Sequence, residues 1–412
     1  MLLVAIGLIV FIGLAHSYLG ERYILVRLFR RPLPELFGSD EFTKKTLRFA
    51  WHITTIAWMG LAAILWQVHG GHASYSNLLG VVGAAFGISA IVALLASRGR
   101  HLSWLVFGAI SIICLTSDGG TRNIIGAETA SIASAVARLE SEAGGDVEYS
   151  VWLGKPDGQA WYEHKADEVR PAASAIKTAI LVEFLSTQLD SLDEPFAALD
   201  EIVDDPASPA IRHFDAEQAA YVDNELRDLT ARELALAMVH TEHTYSNAAY
   251  NAAANVIIEY LGGPVALTER LQRRFPDAAG LQVARYMLAD RQQDGDNLLT
   301  ARALAAVLRD LARDGPVDEL RTAAHAILLY ESDPDRGDHY YKGGSLSSDP
   351  QVRIESGWWD HRGEAFVYAV IATRPAPANS DEDYDRLRSD LRELSNIVQD
   401  AGVRIRAALA GR

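Results

Sequence analysis

Four apolar stretches crowd the first 117 residues: roughly 2–19, 49–68, 78–96 and 102–116, none with Asp, Glu, Lys or Arg in its interior. Each approaches the roughly 17–25 residues that a helix needs to cross a bilayer, the last being short. Four such runs in so little chain read as membrane spans rather than as buried core helices. The first lacks the basic flank and small-residue cleavage site of a signal peptide, so it reads as an anchor. Basic residues then set the orientation. Arg22, Arg27, Arg30, Arg31, Lys44, Lys45 and Arg48 lie between runs one and two, and Arg98 and Arg100 between runs three and four. The connection 67–77 has no Lys or Arg. Both basic connections belong on the cytoplasmic side, so the chain after run four emerges outside. The parity of the spans carries this reading, and the short fourth run is its weak point.

The 412-residue chain has a net charge of −16, but residues 1–117 are net +5 and the remainder is −21. So acidic a soluble part disfavours nucleic acid as partner. One cysteine, Cys114, permits no intramolecular disulfide. Three regions follow: a transmembrane region (1–117), a linker (118–126) opening Ser117-Asp-Gly-Gly, and a soluble domain (127–412). That domain opens with helical periodicity over 128–143, then strands over 147–153 and 159–164 around the turn Lys155-Pro-Asp-Gly158. A capping-box pattern, Thr230-Ala-Arg-Glu233, starts a later helix.

Three motifs follow in order. The first is Ser174-Ala-Ile-Lys177, with Pro171-Ala-Ala before it and apolar residues after it, as a helix starting just before Ser174 would read. Serine and lysine three apart share a helix face. Burial and the helix dipole favour a neutral lysine, which can take the serine proton and leave a nucleophile. The second is Tyr245-Ser246-Asn247-Ala-Ala-Tyr250-Asn251, running on to Asn255. The third is Tyr341-Lys342-Gly343-Gly344-Ser345, ahead of strand-like runs at 351–359 and 364–373. A lysine and two glycines entering a strand suit close approach by a substrate backbone and its carboxylate.

S-x-x-K, then S-x-N or Y-x-N, then K-[ST]-G is the ordered signature of penicillin-binding proteins and serine β-lactamases, and residues 125–412 resemble that superfamily, the class A type in particular. The resemblance implies an α+β fold: an antiparallel five-stranded sheet flanked by helices, plus an all-helical lobe. It implies a serine hydrolase acting by acyl transfer, with Ser174 as nucleophile, Lys177 as base, Tyr245 (or Ser246) as proton relay and Asn247 positioning lysine and substrate. Lys342 would attract a substrate carboxylate beside Gly343 and Gly344, and the oxyanion hole would be the N–H groups of Ser174 and Ser345. No cofactor or metal is implied. The second motif has two registers. One starts at Tyr245 and uses Asn247 and Asn251; the other starts at Ala249 and uses Asn251 and Asn255. The first keeps a hydroxyl and is preferred; outside the motif roles, Tyr250 and Asn251 read as ordinary packing and helix-surface residues.

Two departures narrow the resemblance. Class A enzymes carry a glutamate in a loop between motifs two and three that activates the deacylating water. The corresponding stretch, Met287 to Thr300, has none. Gly343 replaces the Ser or Thr of the third motif. The reading is therefore a multi-pass protein of the cytoplasmic membrane with its hydrolase domain outside, acting on a β-lactam, a peptidoglycan-like peptide or an ester. A slowly turning over sensor that signals through its spans is the alternative. Two histidine pairs, His69/His72 and His240/His243, lack further ligands at metal-site spacing, and the former, with His16, His52 and His101, reads as packing or interfacial. The absence of H-E-x-x-H and G-x-S-x-G disfavours a metalloprotease and a Ser-His-Asp hydrolase. Oligomeric state is not legible.

Overall fold

A computed structural model describes residues 2–70, 75–116, 119–240, 245–313, 318–348, 350–374 and 381–410. The chain divides into two compact units, Met1–Gly126 and Ala127–Arg412.

In the first unit, helices span Leu2–Leu19, Glu41–His69, Tyr75–Ser97 and Ser103–Thr116. Three are long and apolar enough to cross a membrane, the first continuing through a turn of π-helix (Gly20–Leu25) to Leu28. The fourth, 14 residues, extends about 21 Å at 1.5 Å per residue, short of a ~30 Å hydrocarbon core. Several polar side chains meet between helices. Ser17 Oγ lies 2.9 Å from His52 Nδ1 and 2.8 Å from Thr55 Oγ1. Ser111 Oγ donates to the carbonyl of Gly83 at 2.7 Å, a close approach that small residues permit. His16 stacks on Trp51 and His101 bonds Ser103, so these two histidines and His52 are engaged locally. His72 lies outside the described residues.

The second unit opens on a helix whose first residues precede the division. It spans Gly119–Glu142, so residues 119–126, expected as linker, are helical; Ser117 and Asp118 lie outside the described residues. Among the described residues nine strands follow: β1 (Glu148–Gly154), β2 (Ala160–His164), β3 (Arg170–Pro171), β4 (Leu298–Leu299), β5 (Leu329–Asp333), β6 (Gly337–Tyr341), β7 (Gly344–Leu346), β8 (Gln351–His361) and β9 (Glu364–Arg374). The main sheet runs β2-β1-β9-β8-β6-β5, with antiparallel neighbours. β7 also pairs with β8, so β6 and β7 occupy one side of β8 and are interrupted at Lys342-Gly343. β3 and β4 form a separate two-stranded ribbon.

β9 reads as continuous apolar sequence because both its faces are covered. Phe366, Tyr368, Val370 and Ala372 pack with Ile132, Val136 and Leu139 of the opening helix and with Leu387, Leu391, Leu394 and Val398 of the closing helix, Asp381–Ala410. Val367, Ala369 and Ile371 face the opposite core. That core is the helical lobe, built from the helices Lys177–Gln188, Ala231–Val239, Asn247–Tyr260 and Ala301–Ala312. Nearly every residue of Lys177–Gln188 is buried, which is how a helix apolar on all sides is stabilised, at about 1.5–3 kcal/mol per fully buried large aliphatic side chain. The serine and lysine of the first motif therefore sit between sheet and lobe.

Candidate active site

The segment before Ser174 is tied down from both sides. β3 pairs Arg170 with Leu299 and Pro171 with Leu298, and the Ala172 N–H donates to the carbonyl of Asn297 at 2.7 Å. Buried Arg170 bonds Ser150 Oγ and pairs with Glu148. Ala173 then adopts a left-handed backbone, φ 44°, a conformation costly for a residue with a Cβ and held here by its surroundings. A 3₁₀ turn (Ala173–Ile176) carries Ser174 into the helix that begins at Lys177. Ser174 thus stands at a helix N-terminus, on the wall of a cavity of about 770 Å³.

Lys177 has no solvent exposure. Its Nζ donates to the carbonyl of Tyr250 at 3.0 Å and to Asn251 Oδ1 at 3.2 Å, and lies 3.1 Å from the centre of the Tyr250 ring. Burial, and next the positive charge of Lys342, hold its pKa well below the ordinary lysine value. Lys342, also buried, donates from Nζ to the Tyr250 hydroxyl at 3.0 Å. Tyr250 is therefore the group through which the two lysines meet. Among the described residues no hydrogen bond joins Ser174 Oγ to Lys177 Nζ, a looseness usual where no substrate is bound.

The second motif is arranged differently from its preferred reading. Ser246 is the N-cap of the helix Asn247–Tyr260: its Oγ accepts from the Ala249 N–H at 3.1 Å, and its own N–H donates to Glu225. Tyr245 precedes the helix and packs half-buried against the lobe core, and is not among the residues that line the cavity. Burial, then Glu233 and Glu225, raise its pKa. Asn247 lines the cavity but bonds Asn251, whose Nδ2 donates to the Asn247 carbonyl (2.8 Å) and Oδ1 (3.1 Å). One turn on, buried Asn255 accepts from the Met287 N–H and donates to the carbonyls of Met287 and Ala210. The structure thus brings Tyr250 and Asn251 to the lysines and gives Asn255 the 285–297 loop. These contacts follow the later register, with the Tyr250 ring supplying a hydroxyl from the position after Ala249. Helix phase is the reason: residues 250 and 251 face Lys177, while 245 lies outside the helix.

In the third motif, Gly343, Gly344 and Ser345 line the cavity beside Lys342. A Cβ on Gly344 would stand 2.9 Å from Ala175 N and 3.1 Å from Ser174 N, closer than side chains tolerate. The glycine lets β7 run against the backbone of the nucleophile's turn. A Cβ on Gly343 would collide with the Tyr341 hydroxyl. Tyr341 thus occupies the room that a serine or threonine at 343 would take.

The 285–297 loop closes another wall. Buried Arg285 bonds the carbonyls of Tyr286 and Ala289, and both it and Arg291 pair with Asp296. Asn297 Oδ1 accepts from the N–H groups of Ala284 and Arg285. Leu288 reaches the cavity with φ 66°. Among the described lining residues the carboxylates are Asp296, held by two arginines, and Glu355, on β8. The sequence reading missed Tyr250 as a bridging group and Arg353, Arg388 and Arg392 as lining residues. Strand alternation in β8 and the i, i+4 spacing of 388 and 392 were the available signals. His240 bonds the carbonyl of Ile327; His243 lies outside the described residues. Among the described residues no group of three or more His, Cys, Asp or Glu is gathered to hold a metal.

The family model described as the beta-lactamase enzyme family matches residues 131–400. Among solved structures, the chain is similar to the β-lactamase of Sphaerobacter thermophilus, at 19% identity over 65% of this chain and 95% of that one, with a TM-score of 0.45. It is similar to the class A β-lactamase of Mycobacterium abscessus, at 22% identity over 65% and 98%, TM-score 0.46. PBP-A matches at 20% identity over 65% and 94%, TM-score 0.44. No curated protein matches.

Proposed function

The chain belongs to the beta-lactamase enzyme family, and from that premise we propose that it is a membrane-anchored serine hydrolase working through an acyl-Ser174 intermediate. The observation that carries the reading is the buried Lys177, deprived of solvent, held beside Lys342 and aimed by Tyr250 and Asn251. A neutral amine three residues from a helix-N-terminal serine can accept its proton as Oγ attacks a carbonyl. Tyr250, touching both lysines, is suited to pass that proton to the leaving group. The Ser174 and Ser345 N–H groups are the oxyanion donors, each worth about 3–4 kcal/mol in the transition state. Lys342 supplies the positive potential for a substrate carboxylate. Asn251 positions Lys177, and Asn247 positions Asn251.

Deacylation needs a base for water. Neither lining carboxylate is free beside Ser174: Asp296 is engaged by Arg285 and Arg291, and Glu355 holds the Tyr341 hydroxyl. This supports a long-lived acyl-enzyme with a β-lactam. It also favours the second reading, a sensor that stays acylated and signals through the apolar helices. The basic connections of the first unit support a cytoplasmic-membrane location with residues 127–412 outside, where cell-wall peptides and β-lactams are met. Full-length protein in detergent, mixed with a chromogenic cephalosporin, is expected to give a burst of about one equivalent and then a steady rate at least about 100-fold slower. Ser174→Ala removes the burst. Rapid steady turnover would sink the long-lived intermediate, and the sensor with it; no burst and no turnover in the wild type would sink the hydrolase.

A further inference from the structure

The charges around the cavity are distributed unevenly. On one wall Arg285 and Arg291 share Asp296. On the sheet side, Arg353 of β8 and Arg388 and Arg392 of the closing helix line the same cavity. These three lie close enough to Glu355 to favour its charged form. Glu355 is the carboxylate they surround; it also holds Tyr341, and burial pushes its pKa up. Arg353 donates to the Tyr384 hydroxyl at 3.2 Å, while its buried Nε has no partner. Three guanidiniums against one weakened carboxylate leave an excess of positive charge, in a part of the chain that is otherwise strongly acidic. Among the described residues none of the three forms a salt bridge, and clustered guanidiniums repel one another, so their natural complement is an anion.

We infer that the sheet side of the cavity is a second anion subsite, formed by Arg388 and Arg392 with Arg353, and that the preferred acyl donor carries two carboxylates on its leaving portion. One would sit at Lys342 and the other at the guanidinium cluster. The inference rests on the acyl-transfer reading. Guanidiniums bind carboxylates in bidentate fashion, and the cavity's 770 Å³ accommodates a diacid together with the acyl group.

The test uses full-length protein in detergent and two thioesters of N-benzoylglycine, one with mercaptoacetate and one with mercaptosuccinate as leaving thiol. In each, Ser174 Oγ bonds to the acyl carbon, the C–S bond breaks and the serine proton ends on the departing thiolate. Loss of thioester absorbance gives the second-order acylation rate. The diacid is expected to acylate at least about tenfold faster than the monoacid at low ionic strength, with the preference shrinking as salt screens the cluster. Arg388→Ala/Arg392→Ala brings the ratio near one, and Arg388→Lys/Arg392→Lys keeps most of it. Both residues are exposed on the helix, so the fold survives their loss. Equal rates in the wild type, or a ratio untouched by the double alanine variant, overturn the subsite while leaving acyl transfer standing. Failure of both thioesters to react in a Ser174-dependent way removes the acyl-transfer reading and the subsite with it.

Discussion

Lys177 is the residue on which the chemistry turns. Its pKa lies well below the ordinary value because burial opposes its charge and Lys342 repels it. The neutral amine is the competent base, so acylation should rise with pH as Lys177 loses its proton, and Lys177→Ala should slow acylation by about 10²–10⁴-fold. Stability follows the same group with a definite sign. Between the depressed folded pKa and the ordinary lysine value of about 10.4, the unfolded chain binds the proton that the folded chain refuses. Lys177 should therefore make the protein more stable as pH rises through that window, read as unfolding midpoint against pH and absent in Lys177→Met. Tyr250→Phe should slow acylation by about 100-fold, whereas Tyr245→Phe should change it less than about threefold; equal effects would restore Tyr245 as relay. Ser174, Lys177 and Lys342 are legible in the sequence because their motifs hold fixed local spacing. The choice between Tyr245 and Tyr250 is not, because a hydroxyl stands at both and only the helix start at Ser246 decides which one faces the lysines.

At the scale of elements, the site is a meeting of the Ser174 turn, β7 and the Asn247–Tyr260 helix. Gly344 permits the first contact, so Gly344→Ala should push β7 off the Ser174 backbone and cut acylation by about 100-fold with little change in unfolding temperature. Asn255 joins the helix to the 285–297 loop through two buried hydrogen bonds with Met287, and to the Ala210 carbonyl through a third. Asn255→Ala leaves those backbone groups unpaired and should cost about 2–4 kcal/mol in denaturant unfolding. The hairpin β1–β2 and the long strands β8 and β9 follow from periodicity. The stretch 119–126 read as linker is helical: glycines mark a break locally, but here they stand at a helix start. The i, i+4 spacing of Arg388 and Arg392 marks a shared helix face, but the register of the closing helix against β9 decides that this face lines the cavity.

For the whole molecule, the basic, apolar sequence and the acidic sequence fall in the two units, Met1–Gly126 and Ala127–Arg412. With Cys114→Ser as background, an impermeant maleimide should label Glu168→Cys but not Arg30→Cys in intact cells; the reverse pattern would invert the proposed topology. Among the described residues three helices are long and apolar enough to cross, and the fourth is the one on which parity depends. Hydropathy shows four runs but not whether the shortest spans, because length and composition alone do not report depth. The central claim is that Ser174 becomes acylated. It is tested most directly by mixing the full-length protein with benzylpenicillin and locating the adduct by mass spectrometry. The account predicts one penicilloyl group per chain, on the peptide containing Ser174, persisting for many minutes and absent from Ser174→Ala. An unmodified Ser174 peptide, or an adduct that survives in Ser174→Ala, would contradict it.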